Sequence, residues 1–218
     1  MLSAILGTII YKSIIMNFYK SEHLPRLMVA PNGARPSKKD HPAVPVTISE
    51  TVETAKACFK SGATGIHFHM RDEKGQHILD SGLCKEALTE LQKQVPKMHL
   101  QVTTEAVGRY SPEAMRKLAY DVVPPGISIG IREMIPSRQP TSDDIKVYKK
   151  LTESGTKIQH ICYGPEDVDL LSNLLDRAEL SKNGTWCMFV IGHYSGKISN
   201  PENISPFVKR LKKNNMNA

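Results

Sequence analysis

Residues 65–72 read Gly-Ile-His-Phe-His-Met-Arg-Asp, and this alternation sorts chemistry onto one side of a strand and apolar bulk onto the other. Successive strand residues point to opposite faces, so His67, His69 and Arg71 share one face and Ile66, Phe68 and Met70 the other. Two imidazoles two apart on a strand make half of a metal site, since zinc favours His nitrogens and needs at least one further ligand. The same spacing also fits two hydrogen-bonded core histidines. The turn-like Glu73-Lys74-Gly75 and a helical pattern follow, which places the pair at the C-terminal end of a βα strand, where ligands bind in α/β folds.

Two carboxylates are expected at the same mouth: Glu105 after the segment Gln101-Val102-Thr103-Thr104, and Glu133 after the fourth strand. Each is suited to ligate metal or take a proton, or to pair with Arg71, Arg109 or Arg132, and Glu105 is the better placed. Gly126-Ile127-Ser128-Ile129-Gly130 matches the G-x-S-x-G string of serine hydrolases. A nucleophile elbow requires a sharp strand-to-helix turn at the serine, whereas here the string lies inside an alternating β run. Neither a P-loop nor a dinucleotide-binding glycine fingerprint is present. The loop 31–40, Pro-Asn-Gly-Ala-Arg-Pro-Ser-Lys-Lys-Asp, is rich in turn formers and cations and suits either a carboxylate or phosphate ligand or plain solvation.

The elements that must position these residues follow from punctuation and period. Strands are predicted at 26–31, 65–71, 99–104, 126–132, 157–162 and 185–191, and helices at 49–60, 82–94, 112–119, 141–153, 165–179 and 203–212. Ser49, Ser111-Pro112 and Ser142-Asp143-Asp144 are helix starts, and Gly62, Gly155 and Asn183-Gly184 are stops. Strand starts recur about every 30 residues, the spacing of a (β/α)8 TIM barrel of ~250 residues, so six units read as a barrel cut short by about 60 residues. A complete open doubly wound sheet is the alternative. Three consecutive strands put polar groups on one face (His67 and His69; Gln101, Thr103 and Glu105; Ser128, Gly130 and Arg132), which favours a barrel lumen.

The 218 residues are 40% hydrophobic and 23% charged, ordinary for a soluble domain. A net charge of +7 favours anionic partners such as a CoA thioester. The basic run 209–213 reads as the solvated end of a helix, and without aromatic-basic interleaving no nucleic-acid partner is expected. Four scattered cysteines, with no C-x-x-C pair, fit a reducing cytoplasm. Residues 1–23 form an apolar extension of doubtful relevance, too short and interrupted by Lys12 for a membrane span, with Met16 a candidate internal start; residues 24–218 form the partial barrel domain.

The order Met28-Val29-Ala30-Pro31-Asn32-Gly33-Ala34, His41-Pro42-Ala43-Val44-Pro45-Val46-Thr47, His67-Phe68-His69-Met70-Arg71-Asp72 and Gln101-Val102-Thr103-Thr104-Glu105 resembles the β-keto acid cleavage enzymes over roughly residues 24–214. The resemblance implies a (β/α)8 barrel and a divalent metal, usually zinc, held by His67, His69 and a last-strand Glu. It implies an activity in which a β-keto acid carbanion attacks the co-substrate acetyl-CoA and the adduct is cleaved to acetoacetate and a new acyl-CoA. It places the catalytic hydroxyl on Thr103. We expect catalytic roles for Thr103, Arg71 and Glu105, substrate binding by Asn32, Arg35, Ser128 and Arg132, and a homo-oligomer at full length. Three departures stand out: Arg35 where the family often carries Glu, Glu105-Ala106 in place of Gly-Gly, and no counterpart of the last-strand Glu, Arg and Asp before Ala218. The chain as written is expected to hold metal weakly, and a non-catalytic metal or acyl-CoA binding remnant is the rival reading.

Overall fold

The computed structural model describes residues 23–192 and 198–217; the apolar N-terminal stretch with Met16 lies outside them. Six strands, β1 (Met28–Val29), β2 (Gly65–Phe68), β3 (His99–Thr103), β4 (Gly126–Gly130), β5 (Lys157–Cys162) and β6 (Trp186–Phe189), form one sheet in chain order. Every neighbouring pair is parallel. Helices α1 (Ile48–Lys60), α2 (Ser81–Gln94), α3 (Pro112–Val122), the single turn α4 (Ile131–Met134), α5 (Ser142–Glu153), α6 (Pro165–Arg177) and α7 (Ser205–Lys213) connect and follow the strands. The result is six consecutive βα units curled as part of a TIM-type barrel, the architecture expected in preference to the open doubly wound sheet.

The alternation that marked the strands also builds the core. Ile66 and Phe68 of β2, Leu100 and Val102 of β3, and Ile127 and Ile129 of β4 are all buried within one apolar cluster with Leu88 and Leu91 of α2, Met115 and Leu118 of α3, and Leu171 and Leu174 of α6. The other face carries His67, Gln101, Thr103, Ser128 and Gln159, with His67 level with Gln101, Thr103 with Ser128, and Ser128 with Gln159. Gly126 has a steric reason: a Cβ there would stand 2.4 Å from His99 Nε2.

Helices α1 and α2 start one residue earlier than predicted, and α5 starts one residue later. Thr47 caps α1 in a reciprocal box with Glu50, and Thr141 caps α5 in a box with Asp144, because a threonine oxygen can take the N3 amide while the acidic side chain returns to the cap. Five strands are shorter than predicted, and at two of them the difference moves site residues. β2 ends at Phe68, and His69 and Arg71 continue outside the regular ladder, Arg71 bridging to His77. β4 ends at Gly130, and the chain turns at once into α4. Arg132 therefore does not share a strand face with Ser128, contrary to expectation. Among the described residues no helix is long and apolar enough to cross a membrane.

Candidate active site

At the C-terminal ends of the strands lies a cavity of about 680 Å³, lined by His67 and His69, Thr103, Ser128, Glu105 and Glu133 among others. The two imidazoles converge in it. His67 Nε2 and His69 Nε2 are 3.0 Å apart, with ring centroids 5.0 Å apart and the planes steeply inclined. His67 Nδ1 lies 2.7 Å from Gln101 Oε1. An amide oxygen only accepts, so that contact puts the ring proton on Nδ1 and leaves Nε2 a bare lone pair. His69 is the donor in the Nε2 pair, and its own buried Nδ1 is left without a hydrogen-bond partner, 3.8 Å from Glu105 Oε2. Burial lowers the pKa of both rings, His69 down to about 2 with His67 adding to the effect, so both are neutral at physiological pH.

These residues fit a divalent cation. Ligation through both Nε2 atoms requires each proton on Nδ1, and acceptors stand ready there: Gln101 for His67, and the Glu105 carboxylate for His69. Among the described residues no cluster of three or more potential His, Cys, Asp or Glu ligands occurs.

His69 is held by a side chain 37 positions away. Asn32 Nδ2 donates to the His69 carbonyl at 2.9 Å and Asn32 Oδ1 accepts the His69 N–H at 3.1 Å. A further bond runs from Nδ2 to the Pro45 carbonyl at 3.2 Å. Because β1 pairs only as far as Val29 with Ile66, the Asn32 amide serves in place of the missing neighbouring peptide and carries the edge of β2 on to His69. Sequence reasoning made Asn32 a substrate ligand; its amide is spent on the backbone of His69.

Thr103 Oγ1 accepts the Glu105 N–H at 3.0 Å and the Ser128 hydroxyl at 3.2 Å, which leaves the threonine proton for an acceptor in the cavity. Arg35, half-exposed at the rim, pairs with Glu105 Oε1 at 3.2 Å. Two arginines stand elsewhere. Arg71 donates to the carbonyls of Ala34 (2.9 Å), Pro36 (3.0 Å) and Gly33, clamping the loop after β1. Arg132 is turned away from the cavity by buried Asp167, which takes its Nε at 2.8 Å, and by Glu166, which takes Nη2 at 2.7 Å.

The expected list lacked several side chains. Gln101 was read onto the right face without a role. Gln159 and Ile161 of β5 line the cavity by the same alternation that orients the side chains of β2, β3 and β4. Glu133 was ranked below Glu105, yet its carboxylate enters the cavity and accepts from Ala106 N–H at 3.3 Å and Tyr163 O–H at 3.2 Å. Tyr163, just past β5, had no local signal.

A parallel βα half-barrel with a histidine pair and hydroxyls at its C-terminal mouth defines a class of fold: a TIM-type scaffold with its polar side chains gathered at the strand ends. The profile of the family described as beta-keto acid cleavage enzyme matches residues 26–217, and the chain belongs to that family. It is 37% identical over 78 residues to the 3-oxoadipate:acetyl-CoA acetyltransferase of Cupriavidus necator, covering 36% of this chain and 28% of that one. It is 31% identical over 72 residues to the 3-keto-5-aminohexanoate cleavage enzyme of Fusobacterium nucleatum, covering 33% and 26%. The solved structure of ObcA in ternary complex with a C4-CoA adduct and oxalate has a similar fold, with TM-score 0.61, 14% identity, and 79% of this chain against 50% of that one. The matched segments thus span less than a third of these curated relatives and half of the solved chain.

Proposed function

We propose that this chain is a metal-dependent β-keto acid cleavage enzyme, acting on a β-keto acid and acetyl-CoA to give acetoacetate and a new acyl-CoA. The observation that carries the reading is the convergence of the His67 and His69 Nε2 atoms at 3.0 Å inside the cavity, each ring backed by a potential acceptor. His67 and His69 would hold a divalent cation, zinc by preference for imidazole, which supplies Lewis-acid stabilisation of enolate charge at the keto oxygen. The chain's own groups bind and orient the substrate. The free Thr103 proton hydrogen-bonds a substrate carboxylate or thioester oxygen, and Ser128 fixes the direction of that hydroxyl. Glu105 steadies His69 and, through Arg35, ties the loop after β1 to the rim. Arg71 acts as a positioning residue for that loop, and Asn32 for His69. We place the reaction in the cytoplasm and expect a homo-oligomer.

The test is zinc content and acetoacetate formation for the wild-type chain and for His67→Ala and His69→Ala. Each substitution should remove most bound zinc and the product with it. Zinc retained in both variants would sink the assignment, while zinc bound without turnover in the wild type would favour a binding role.

A further inference from the structure

Glu133 is a cavity carboxylate that the reaction just described leaves unused. It is delivered by α4 directly after β4, and its carboxylate folds back over the strand end; a Cβ on Gly130 would stand 3.0 Å from Oε2 and 3.3 Å from Cγ. Glycine at 130 is what leaves room for this fold-back. One oxygen takes the Ala106 N–H and the other the Tyr163 O–H. Each carboxylate oxygen has about two acceptor sites, so each retains roughly one for a donor arriving in the cavity.

The charge of the described lining is one-sided, with Arg35 acting on Glu133 from the rim. Among the described residues that line the cavity none is Lys or Arg, and two are carboxylates, Glu105 and Glu133. Arg35 at the rim is bonded to Glu105, and the neighbouring Arg132 is bonded to Asp167 and Glu166. Burial holds the Glu133 carboxyl above its usual range, against the opposing pull of the Ala106 and Tyr163 hydrogen bonds and of Arg35, so a further donor brought against it offsets part of that burial cost. Apolar wall is supplied by Met28 in β1, Ala30 just after it, and Met188 and Val190 at β6.

We propose that Glu133 is a specificity-determining residue that reads the end of the keto acid remote from the histidine pair, accepting a tail with a hydroxyl or ammonium donor and refusing a tail with a second carboxylate. The inference rests on the keto acid occupying this cavity. An ammonium on a short methylene tail gains a charge-assisted hydrogen bond, whereas a carboxylate there faces a like charge with no cation among the described lining residues to neutralise it.

The experiment is isothermal titration of the zinc-loaded 218-residue chain, without acetyl-CoA, with three probes: acetoacetate, 5-amino-3-oxohexanoate and 3-oxoadipate. Against acetoacetate, the amino acid should bind about tenfold more tightly, the gain of one hydrogen bond to a charged group. The dicarboxylate should bind more weakly than acetoacetate. Glu133→Gln should cut the ratio of amino to dicarboxylate affinity by about tenfold or more, and Glu133→Asp, which keeps the charge, should retain the order. Thermal unfolding of each variant reports folding, and the wild-type order decides the matter if Glu133→Gln does not fold. Acetoacetate binding with the dicarboxylate preferred, or a ratio unmoved in folded Glu133→Gln, overturns this inference alone. No binding of acetoacetate overturns it together with the keto acid reading.

Discussion

Replacing Asn32 by alanine tests whether this residue builds the site or binds its substrate. The side chain is buried and makes three hydrogen bonds, two to the His69 peptide groups and one to the Pro45 carbonyl. At about 1 kcal/mol net for each, the bonds alone are worth about 3 kcal/mol. Alanine also leaves the His69 N–H and carbonyl without partners, at a cost of ~1–3 kcal/mol each if dry and much less if water enters the vacated space. We therefore expect a loss of about 2–4 kcal/mol in urea unfolding, a midpoint shift of roughly 1–2 M for a chain of this size. With its backbone anchor gone, the His69 ring loses its fixed approach to His67, and zinc affinity should fall by about tenfold. Asn32→Asp should do no better than alanine: the carboxylate still accepts the His69 N–H, but it sets oxygen against the two carbonyls that the amide had donated to. A substrate-binding Asn32 predicts the opposite pattern, with an unchanged unfolding midpoint and zinc affinity and a weakened keto acid alone. That pattern would refute the anchoring argument.

Three further outcomes follow from the packing. Gly126→Ala should cost about 1–3 kcal/mol by thermal unfolding, because the new Cβ would lie 2.4 Å from His99 Nε2 and 3.1 Å from the Leu100 carbonyl; an unchanged midpoint would show that the His99 ring has room to turn aside. Burial holds His99 and His160 down at about 4, so below their unfolded value near 6.5 the unfolded chain binds more protons and stability falls with pH. Each ring should contribute about 2 kcal/mol of loss between pH 7.5 and 5, and His160→Leu should remove its share of that slope in urea midpoints measured at the two values. Asp167→Asn should destabilise by about 2 kcal/mol, less than a fully buried pair because Arg132 is partly exposed, since Asp167 takes Arg132, Arg138 and the N–H groups of Tyr163 and Gly164. Wild-type stability in that variant would mean that the guanidinium groups find water or Glu166 at no cost.

The regular strands were legible because a period of two leaves a side chain only two directions, and in β2, β3 and β4 polarity follows that choice residue by residue. His67, Gln101, Thr103 and Ser128 fall on the lumen face for that reason alone. Beyond the last paired residue of each strand the rule lapses. His69 keeps its direction only because Asn32 continues the ladder from 37 positions away, a relation with no trace in local pattern. Arg71 and Arg132 sit at comparable points, one just past β2 and one just past β4, and their long side chains go to the strongest acceptors within reach. For Arg71 these are the carbonyls of the loop after β1; for Arg132 they are Asp167 and Glu166 at the start of α6. Glu133 goes inward by the same competition: α4 turns its side chain over Gly130, and Ala106 and Tyr163, from two different βα units, supply the donors that keep it there. Barrel sites are assembled at strand ends, where alternation gives way to partners remote in sequence. The residues hardest to read from sequence in this fold are therefore those just past the strand ends, and Glu133, held by Ala106 and Tyr163, is the example in this chain.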